Sequence, residues 1–232
     1  MSLAKTIVAL DQMDLNEINL FLSLPLNNLP TVKIGLELFL KHGPDLIHKI
    51  HHDFNKKIFL DLKLHDIPVT VARAIHSLKN LPIDFLTVHL SGGEEMLKAA
   101  VSEARISIPH CKILGVSFLT SLEENDLFSI FGVTNIDEAF LRLFQLANQS
   151  KVHGVVCSPH EITLLKKTFP HLLAITPGIR FSDEIKDQNT QDQKRVATPS
   201  DALHLGADFL VIGRSLTKAM DLGLRLKELE LS

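Results

Sequence analysis

The segment IFLDLKLHDIP, residues 58–68, is an apolar run interrupted by charges of alternating sign. Its Ile, Phe and Leu residues are typical of a buried β-strand. Side chains alternate between the two faces of a strand, so Asp61 and Lys63 are predicted to share one side and the three leucines the other. Buried ion pairs stabilise a protein no better than apolar side chains of the same size. The charges therefore favour a functional site.

The same segment also has structural interpretations. Asp61 and Lys63 would then form a salt bridge that closes one layer of a barrel. Pro68 suits the first turn of a helix, and Asp66 suits the N-cap position before it. These alternatives need no ligand, and the sequence alone leaves them open.

Similar apolar runs recur along the chain and alternate with helical patterns. The other seven are TIVALD (6–11), TVKIG (31–35), FLTVHL (85–90), KILGVSFL (112–119), VHGVVCS (152–158), LLAITPG (172–178) and DFLVIGR (208–214). Eight strand–helix units in 232 residues predict an α/β fold, a (β/α)₈ TIM barrel. A doubly wound sheet is the alternative, but DQMDLNE after the first strand lacks the glycines of a dinucleotide site. Since no linker divides the chain, we expect one domain over residues 1–232.

Composition excludes several classes of protein. The chain is 45% hydrophobic, yet no continuous apolar stretch reaches the ~18 residues that a transmembrane helix needs. Asp11 interrupts the first apolar run before a signal peptide could form. A net charge of −3 supplies no basic face for nucleic acid. Both cysteines, Cys111 and Cys157, lie in apolar runs, as expected of buried thiols in a reducing compartment. We therefore expect a cytoplasmic protein that binds neither nucleic acid nor membranes.

The carboxyl ends of the strands are where a barrel of this kind holds its active site. Polar residues predicted at those ends are Asp11, Lys33, Asp61, Lys63, His89, Thr120, Ser158 and Arg214. Lys33 is predicted to end the second strand, roughly 4.8 Å from the third. Two neighbouring strands would thus bring two lysines and a carboxylate together.

A phosphate site is predicted after strands seven and eight. The segments VIGRSLTKA and TPGIR place glycines and arginines at the ends of these strands. Backbone N–H groups at such turns, together with a guanidinium, bind phosphate in many barrels. The structural alternative is a tight turn beside a surface arginine.

Together these residues resemble the orotidine 5′-monophosphate decarboxylase family. VALD, VKIG, FLDLKLHDIPVTV, GVSFLTS, TPGIR, DQKRVATP and VIGR follow the order and spacing of that family along essentially the whole chain. The D-x-K-x-x-D pattern alone is also found in sugar-phosphate decarboxylases and synthases on related barrels. The additional segments favour the orotidylate enzymes.

The resemblance implies a decarboxylation that needs no cofactor and no metal, as the last step of uridylate synthesis. Lys63 resembles the acid that protonates C6 of the pyrimidine, and Asp61 the carboxylate that holds this lysine. Lys33 resembles an outer lysine of the array that also contacts ribose. Asp66 and Thr70 resemble residues that reach the partner subunit's site, which implies a homodimer with shared active sites.

The remaining residues matched by the resemblance bind substrate. Asp11 would bind ribose hydroxyls and Thr120 the base. The phosphate would be held by Arg180, Gln193, Gly213 and Arg214, with the loop 177–193 closing over it. Two other functions remain open: a Mg²⁺-dependent 3-keto-gulonate 6-phosphate decarboxylase or hexulose-phosphate synthase on the same barrel, and a barrel that binds phosphate ligands without catalysis.

Overall fold

The computed structural model describes residues 2–24, 29–186 and 196–232. Within these ranges, parallel strands form a closed barrel in which each strand pairs with its sequence neighbours and β8 closes onto β1. The strands are β1 (Thr6–Ala9), β2 (Thr31–Gly35), β3 (Lys57–Leu64), β4 (Phe85–His89), β5 (Lys112–Val116), β6 (Gly154–Val156), β7 (Leu173–Thr176) and β8 (Phe209–Ile212). The predicted (β/α)₈ barrel and all eight predicted strands are confirmed.

Helices lie between the strands on the outside of the barrel. They are α1 (Leu15–Leu22), α2 (Leu36–Phe54), α3 (Pro68–Ser77), α4 (Gly93–Ser107), α5 (Glu124–Phe131), α6 (Ile136–Gln149), α7 (Ile162–Thr168), α8 (Ser182–Lys186), α9 (Pro199–His204), α10 (Arg214–Thr217) and α11 (Leu222–Leu231). Local sequence sets several of these boundaries. Asp14 caps α1 by accepting the N–H groups of Asn16 and Glu17. Gly43, with φ +63°, followed by Pro44, interrupts α2.

Apolar side chains fill two layers, one inside the barrel and one between the barrel and its helices. The inner layer contains Phe59 and Phe85, whose rings meet edge to face with centroids 6.0 Å apart. Inward positions on a strand are two residues apart, so Phe59 lies below Asp61 and Phe85 lies below Thr87. The polar residues at the carboxyl end of the barrel therefore lie directly above apolar side chains.

Candidate active site

The end of β3 brings Asp61 and Lys63 into one cavity. The pairing of β3 with β4 shifts register between Leu60 and Leu64, and Lys63 has a left-handed φ of +51°. Despite this irregularity, both charged side chains line the cavity, while Leu60 is buried in the outer core. The predicted shared side of Asp61 and Lys63 is confirmed.

Four side chains form a chain of alternating charges. Lys63 Nζ donates a hydrogen bond to Asp61 Oδ2 at 2.8 Å, and Lys33 Nζ lies 3.3 Å from the same oxygen. On its other side, Lys33 Nζ donates to Asp11 Oδ2 at 2.5 Å. The side chains of Lys33 and Asp61 are each 10% exposed, whereas that of Lys63 is 39% exposed. The buried members hold one another, and the terminal lysine faces the open cavity.

Lys33 does not end its strand as predicted. It lies in the middle of β2, paired with Ala9 and Phe59, and the strand continues to Gly35. Gly35, not Lys33, is the register partner of Asp61. Lys33 pairs with Phe59, two residues before Asp61, but its long side chain still reaches the Asp61 carboxylate. The cluster therefore forms although Lys33 does not end the strand.

The array shifts the pKa values of its buried members in opposite directions. Burial by itself lowers the pKa of Lys33, but Asp61 and Asp11 raise it above the ordinary lysine value. Burial raises the pKa of Asp61, but Lys33 and Lys63, with a hydrogen bond from Thr87, lower it below the ordinary aspartate value. Both groups are therefore charged at neutral pH.

Gly35 permits Asp11 to approach the array. A Cβ atom at position 35 would lie 2.1 Å from Asp11 Oδ1, far inside van der Waals contact. A larger residue would push Asp11 away from Lys33. The last residue of β2 is thus a glycine because the Asp11 carboxylate, which follows β1, occupies the space above it.

The cavity has a volume of about 290 Å³ and joins the charge array to two arginines. Arg180 follows β7, Arg214 begins α10 after β8, and Thr120 follows β5. The other lining residues supply apolar walls and turn backbone: Ala9, Gln12, Phe59, Val116, Phe118, Leu119, Val156, Pro177, Gly178, Val211 and Gly213. The arrangement suits a ligand that combines an anionic group with polar and apolar parts.

Eight of the predicted site residues line this cavity. They are Asp11, Lys33, Asp61, Lys63, Thr120, Arg180, Gly213 and Arg214. Gln193 lies outside the residues that the structure describes. Asp66 and Thr70 do not line the cavity of their own chain and are exposed on its surface.

The predicted helix cap at Asp66 is wrong. The N-cap of α3 is Ile67, and no side chain caps this helix. Asp66 Oδ1 instead accepts the N–H of Ile67 at 2.7 Å. Pro68 does occupy the first turn, as predicted. The residue before a proline prefers an extended backbone, so the helix boundary falls at Ile67 rather than at Asp66.

Two predicted rim residues have other surroundings. Ser158 is buried, and its N–H donates to Glu161 in a capping box. His89 contacts the ring of His65, with centroids 5.2 Å apart. Burial and the nearby charges of His65 and Lys63 lower the pKa of His89.

Thr87 of β4 is a site residue that the sequence interpretation missed. Its Oγ1 donates to Asp61 Oδ1 at 2.9 Å and accepts the N–H of Lys63 at 2.9 Å. The signal was present in FLTVHL, because period two places Thr87 on the inner face with Phe85 and His89. Threonine is common in β-strands, so its presence in an apolar strand does not by itself indicate a functional residue.

The described residues contain neither a cluster of metal ligands nor a helix that could cross a membrane. No group of three or more His, Cys, Asp or Glu side chains there could hold a metal ion. Among the same residues, no helix combines the length and the apolar character needed to cross a membrane.

Comparison with known proteins places the chain in a family. A profile of the orotidine 5′-phosphate decarboxylase / HUMPS family matches residues 4–229. The chain belongs to this family. The resemblance inferred from the motifs is therefore confirmed, and the match extends over nearly the whole barrel.

Named relatives cover the chain from end to end. The orotidine 5′-phosphate decarboxylase of Lawsonia intracellularis is 42% identical over 221 residues, covering 94% of this chain and 93% of the relative. That of Staphylococcus saprophyticus is 43% identical over 215 residues, covering 92% and 91%. The crystal structure of orotidine 5′-phosphate decarboxylase from Lactobacillus acidophilus superposes with a TM-score of 0.81 at 33% identity, covering 98% of both chains.

Proposed function

We propose that this protein decarboxylates orotidine 5′-monophosphate to uridine 5′-monophosphate without metal or cofactor, as the last step of pyrimidine nucleotide synthesis. The observation that carries the proposal is the buried carboxylate of Asp61 held between two ammonium groups, with Lys63 facing the cavity. Membership of the orotidine 5′-phosphate decarboxylase / HUMPS family supports the same chemistry. We further propose that residues 1–232 form one domain that acts in the cytoplasm.

Lys63 is the proposed acid. When the bond between C6 and the carboxylate breaks, its electron pair remains on C6 and CO₂ leaves. The Lys63 ammonium stabilises the developing negative charge and then transfers a proton to C6. The resulting neutral amine regains a proton from water. Its greater exposure, compared with Lys33, suits the group that must touch substrate.

Asp61 and Lys33 are proposed to fix that acid. The Lys63 ammonium donates a hydrogen bond to the charged Asp61 carboxylate, which restricts the position of the lysine side chain. The lowered pKa of Asp61, caused by the two lysines against the opposing effect of burial, keeps the carboxylate ionised. The substrate carboxylate would also lie near this negative charge, and departure of CO₂ would relieve their repulsion. We assign Asp61 mainly the first of these roles.

The arginines of the cavity are proposed to bind the phosphate. Arg180, Gly213 and Arg214 all line the cavity. Bidentate guanidinium contacts suit a phosphate dianion. Asp11 and Lys33 would contact ribose hydroxyls, and Thr120 the pyrimidine. Gln193, the fourth proposed phosphate contact, rests on the family resemblance alone.

We propose that two chains form a homodimer in which Asp66 and Thr70 complete the partner's site. Both residues are exposed and lie past the end of β3. Apolar side chains at the start of α2 and around the start of α3 are exposed too: Leu36 52%, Leu40 75%, Ile67 62% and Val69 58%. They belong to α2 and to the start of α3, which follow neighbouring strands. Such apolar surface beside a polar site favours a protein interface.

The test of the proposed function is a substrate panel with purified, chelator-treated protein. We expect orotidine 5′-monophosphate absorbance to fall in the presence of EDTA, with release of one CO₂ per uridylate. A Mg²⁺-dependent sugar-phosphate enzyme would instead be inactive in EDTA. When Mg²⁺ is restored, it would decarboxylate 3-keto-gulonate 6-phosphate or join a pentulose phosphate to a one-carbon aldehyde. A non-catalytic barrel would bind orotidylate and leave it unchanged.

A further inference from the structure

We propose that Thr87 is a positioning residue whose hydroxyl fixes both Asp61 and Lys63 for the reaction. The inference rests on the proposed function, since it assigns Lys63 to the chemical step. It concerns a residue of β4 that contacts no reacting group and acts only through its two neighbours on β3.

The hydrogen bonds of Thr87 close a ring around the catalytic pair. Its Oγ1 donates to Asp61 Oδ1 at 2.9 Å, while Asp61 Oδ2 accepts from Lys63 Nζ at 2.8 Å. The ring closes through the backbone, because the Lys63 N–H donates to Thr87 Oγ1 at 2.9 Å. One hydroxyl therefore connects the main chain of the proposed acid to the carboxylate that holds its side chain.

The direction of each bond is fixed by the chemistry of the groups. A hydroxyl has one hydrogen to donate, and the backbone N–H of Lys63 can only donate. Thr87 must therefore give its hydrogen to Asp61, which is ionised. Since Lys63 and Lys33 approach Oδ2, the contact from Thr87 occupies the other oxygen and sets the plane of the carboxylate.

Lys63 needs such support because its backbone is in an uncommon conformation. A left-handed φ is unfavourable for a residue with a Cβ, and the φ of Lys63 is +51°. The irregularity falls where the register of β3 and β4 shifts, between Leu60 and Leu64. At that point the Lys63 N–H donates a hydrogen bond to the side chain of Thr87 on the adjacent strand. Thr87 thus provides an acceptor for a backbone N–H at the irregular part of β3.

Thr87 is itself held rigidly. Its side chain is fully buried, and the neighbouring residue pairs Leu86–Ile113 and Val88–Gly115 lie in regular register with β5. A β-branched side chain in a strand also has few χ1 choices. The position of the Thr87 hydroxyl within the barrel wall is therefore fixed.

The test replaces Thr87 with valine, which keeps the shape and removes the hydroxyl. We expect Thr87→Val to lower kcat about 10- to 100-fold, as misplacement of a reacting group does, with KM changed less than about threefold. Thr87→Ser, which restores a hydroxyl, should recover kcat to within about threefold of wild type. Thr6→Val is the matched control, because Thr6 is a buried strand threonine bonded to Ser2 O at the opposite end of the barrel.

Amide hydrogen exchange at Lys63 provides a readout that does not depend on turnover. Loss of its acceptor should speed exchange at Lys63 at least about tenfold in Thr87→Val and leave it unchanged in Thr6→Val. The inference is overturned if Thr87→Val keeps kcat within twofold of wild type, if serine does not rescue it, or if both valine variants lose activity equally. Should wild-type protein not decarboxylate orotidylate, the proposed function fails, and the exchange rate alone decides: faster exchange supports the positioning contact and unchanged exchange refutes it.

Discussion

Lys63 Nζ lies 2.8 Å from Asp61 Oδ2, and the same oxygen lies 3.3 Å from Lys33 Nζ. One carboxylate thus contacts two ammonium groups, one buried and one facing the cavity, and Asp11 supplies the second negative charge of the array. Removing any of the four side chains leaves an uncompensated charge, so each substitution has a distinct expected result.

Lys63→Ala should abolish turnover in a folded protein. Loss of a general acid typically lowers the rate roughly 10²–10⁴-fold, and more when the same group stabilises developing charge. Decarboxylation and circular dichroism measured together test this. Lys98→Ala is the control, because Lys98 is a surface lysine paired with Glu94 on α4. A folded Lys63→Ala protein with near wild-type kcat would remove Lys63 from its assigned role.

Arg214→Ala should impair the phosphorylated substrate selectively. Binding energy from a remote phosphate can be used in the transition state, so kcat/KM for orotidine 5′-monophosphate should fall. Turnover of the nucleoside orotidine, already much slower, should barely change. Steady-state kinetics with both substrates check this. Equal losses for the two substrates would mean that Arg214 has a structural role.

Mixed dimers should test whether active sites are shared between subunits. When Asp66→Ala and Lys63→Ala chains exchange, each heterodimer has one site with both defects and one with neither. Half of the dimers are heterodimers, so activity should return to roughly a quarter of wild type. Asp61→Ala mixed with Lys63→Ala is the control, because each chain then carries a defect in its own array and no intact site forms. Demonstrated exchange without recovery would place Asp66 outside the partner's site.

Lowering the pH should reduce the contribution of Asp61 to the free energy of unfolding. Burial raises the pKa of Asp61, but Lys33 and Lys63 lower it below the ordinary value of 3.8. A carboxyl with a depressed folded pKa stabilises above its unfolded pKa and loses that contribution as pH falls. We therefore expect the difference in urea midpoint between wild type and Asp61→Asn to be largest near neutral pH and to shrink below about pH 4. A difference that grows on acidification would contradict the assigned charge state.

Sequence periodicity predicted the barrel and most of the site because both depend on simple repeats. Alternation along β3 placed Asp61 and Lys63 together, and the strand ends identified Arg180 and Arg214. The position of Lys33 was predicted less well, because its long side chain can reach Asp61 although Lys33 itself pairs with Phe59, two residues earlier in β3. Strand order alone does not reveal that reach.

Features that depend on local backbone geometry could not be predicted. The left-handed φ of Lys63 arises from the register shift between β3 and β4, which has no glycine to mark it. The contact of Thr87 with Lys63 exists only because of that shift. Asp66 resembled a helix cap, but the proline two residues later moved the boundary to Ile67.

The origin of the hydrogen at C6 of the product tests the central claim most directly. Chelator-treated wild-type protein would convert orotidine 5′-monophosphate in D₂O, and the uridylate would be analysed by mass spectrometry and NMR. Because the Lys63 ammonium exchanges its hydrogens with solvent, we expect one deuterium at C6, formed in EDTA and absent with Lys63→Ala. No turnover in EDTA, or full deuterium incorporation at an undiminished rate with Lys63→Ala, would contradict metal-free protonation by Lys63.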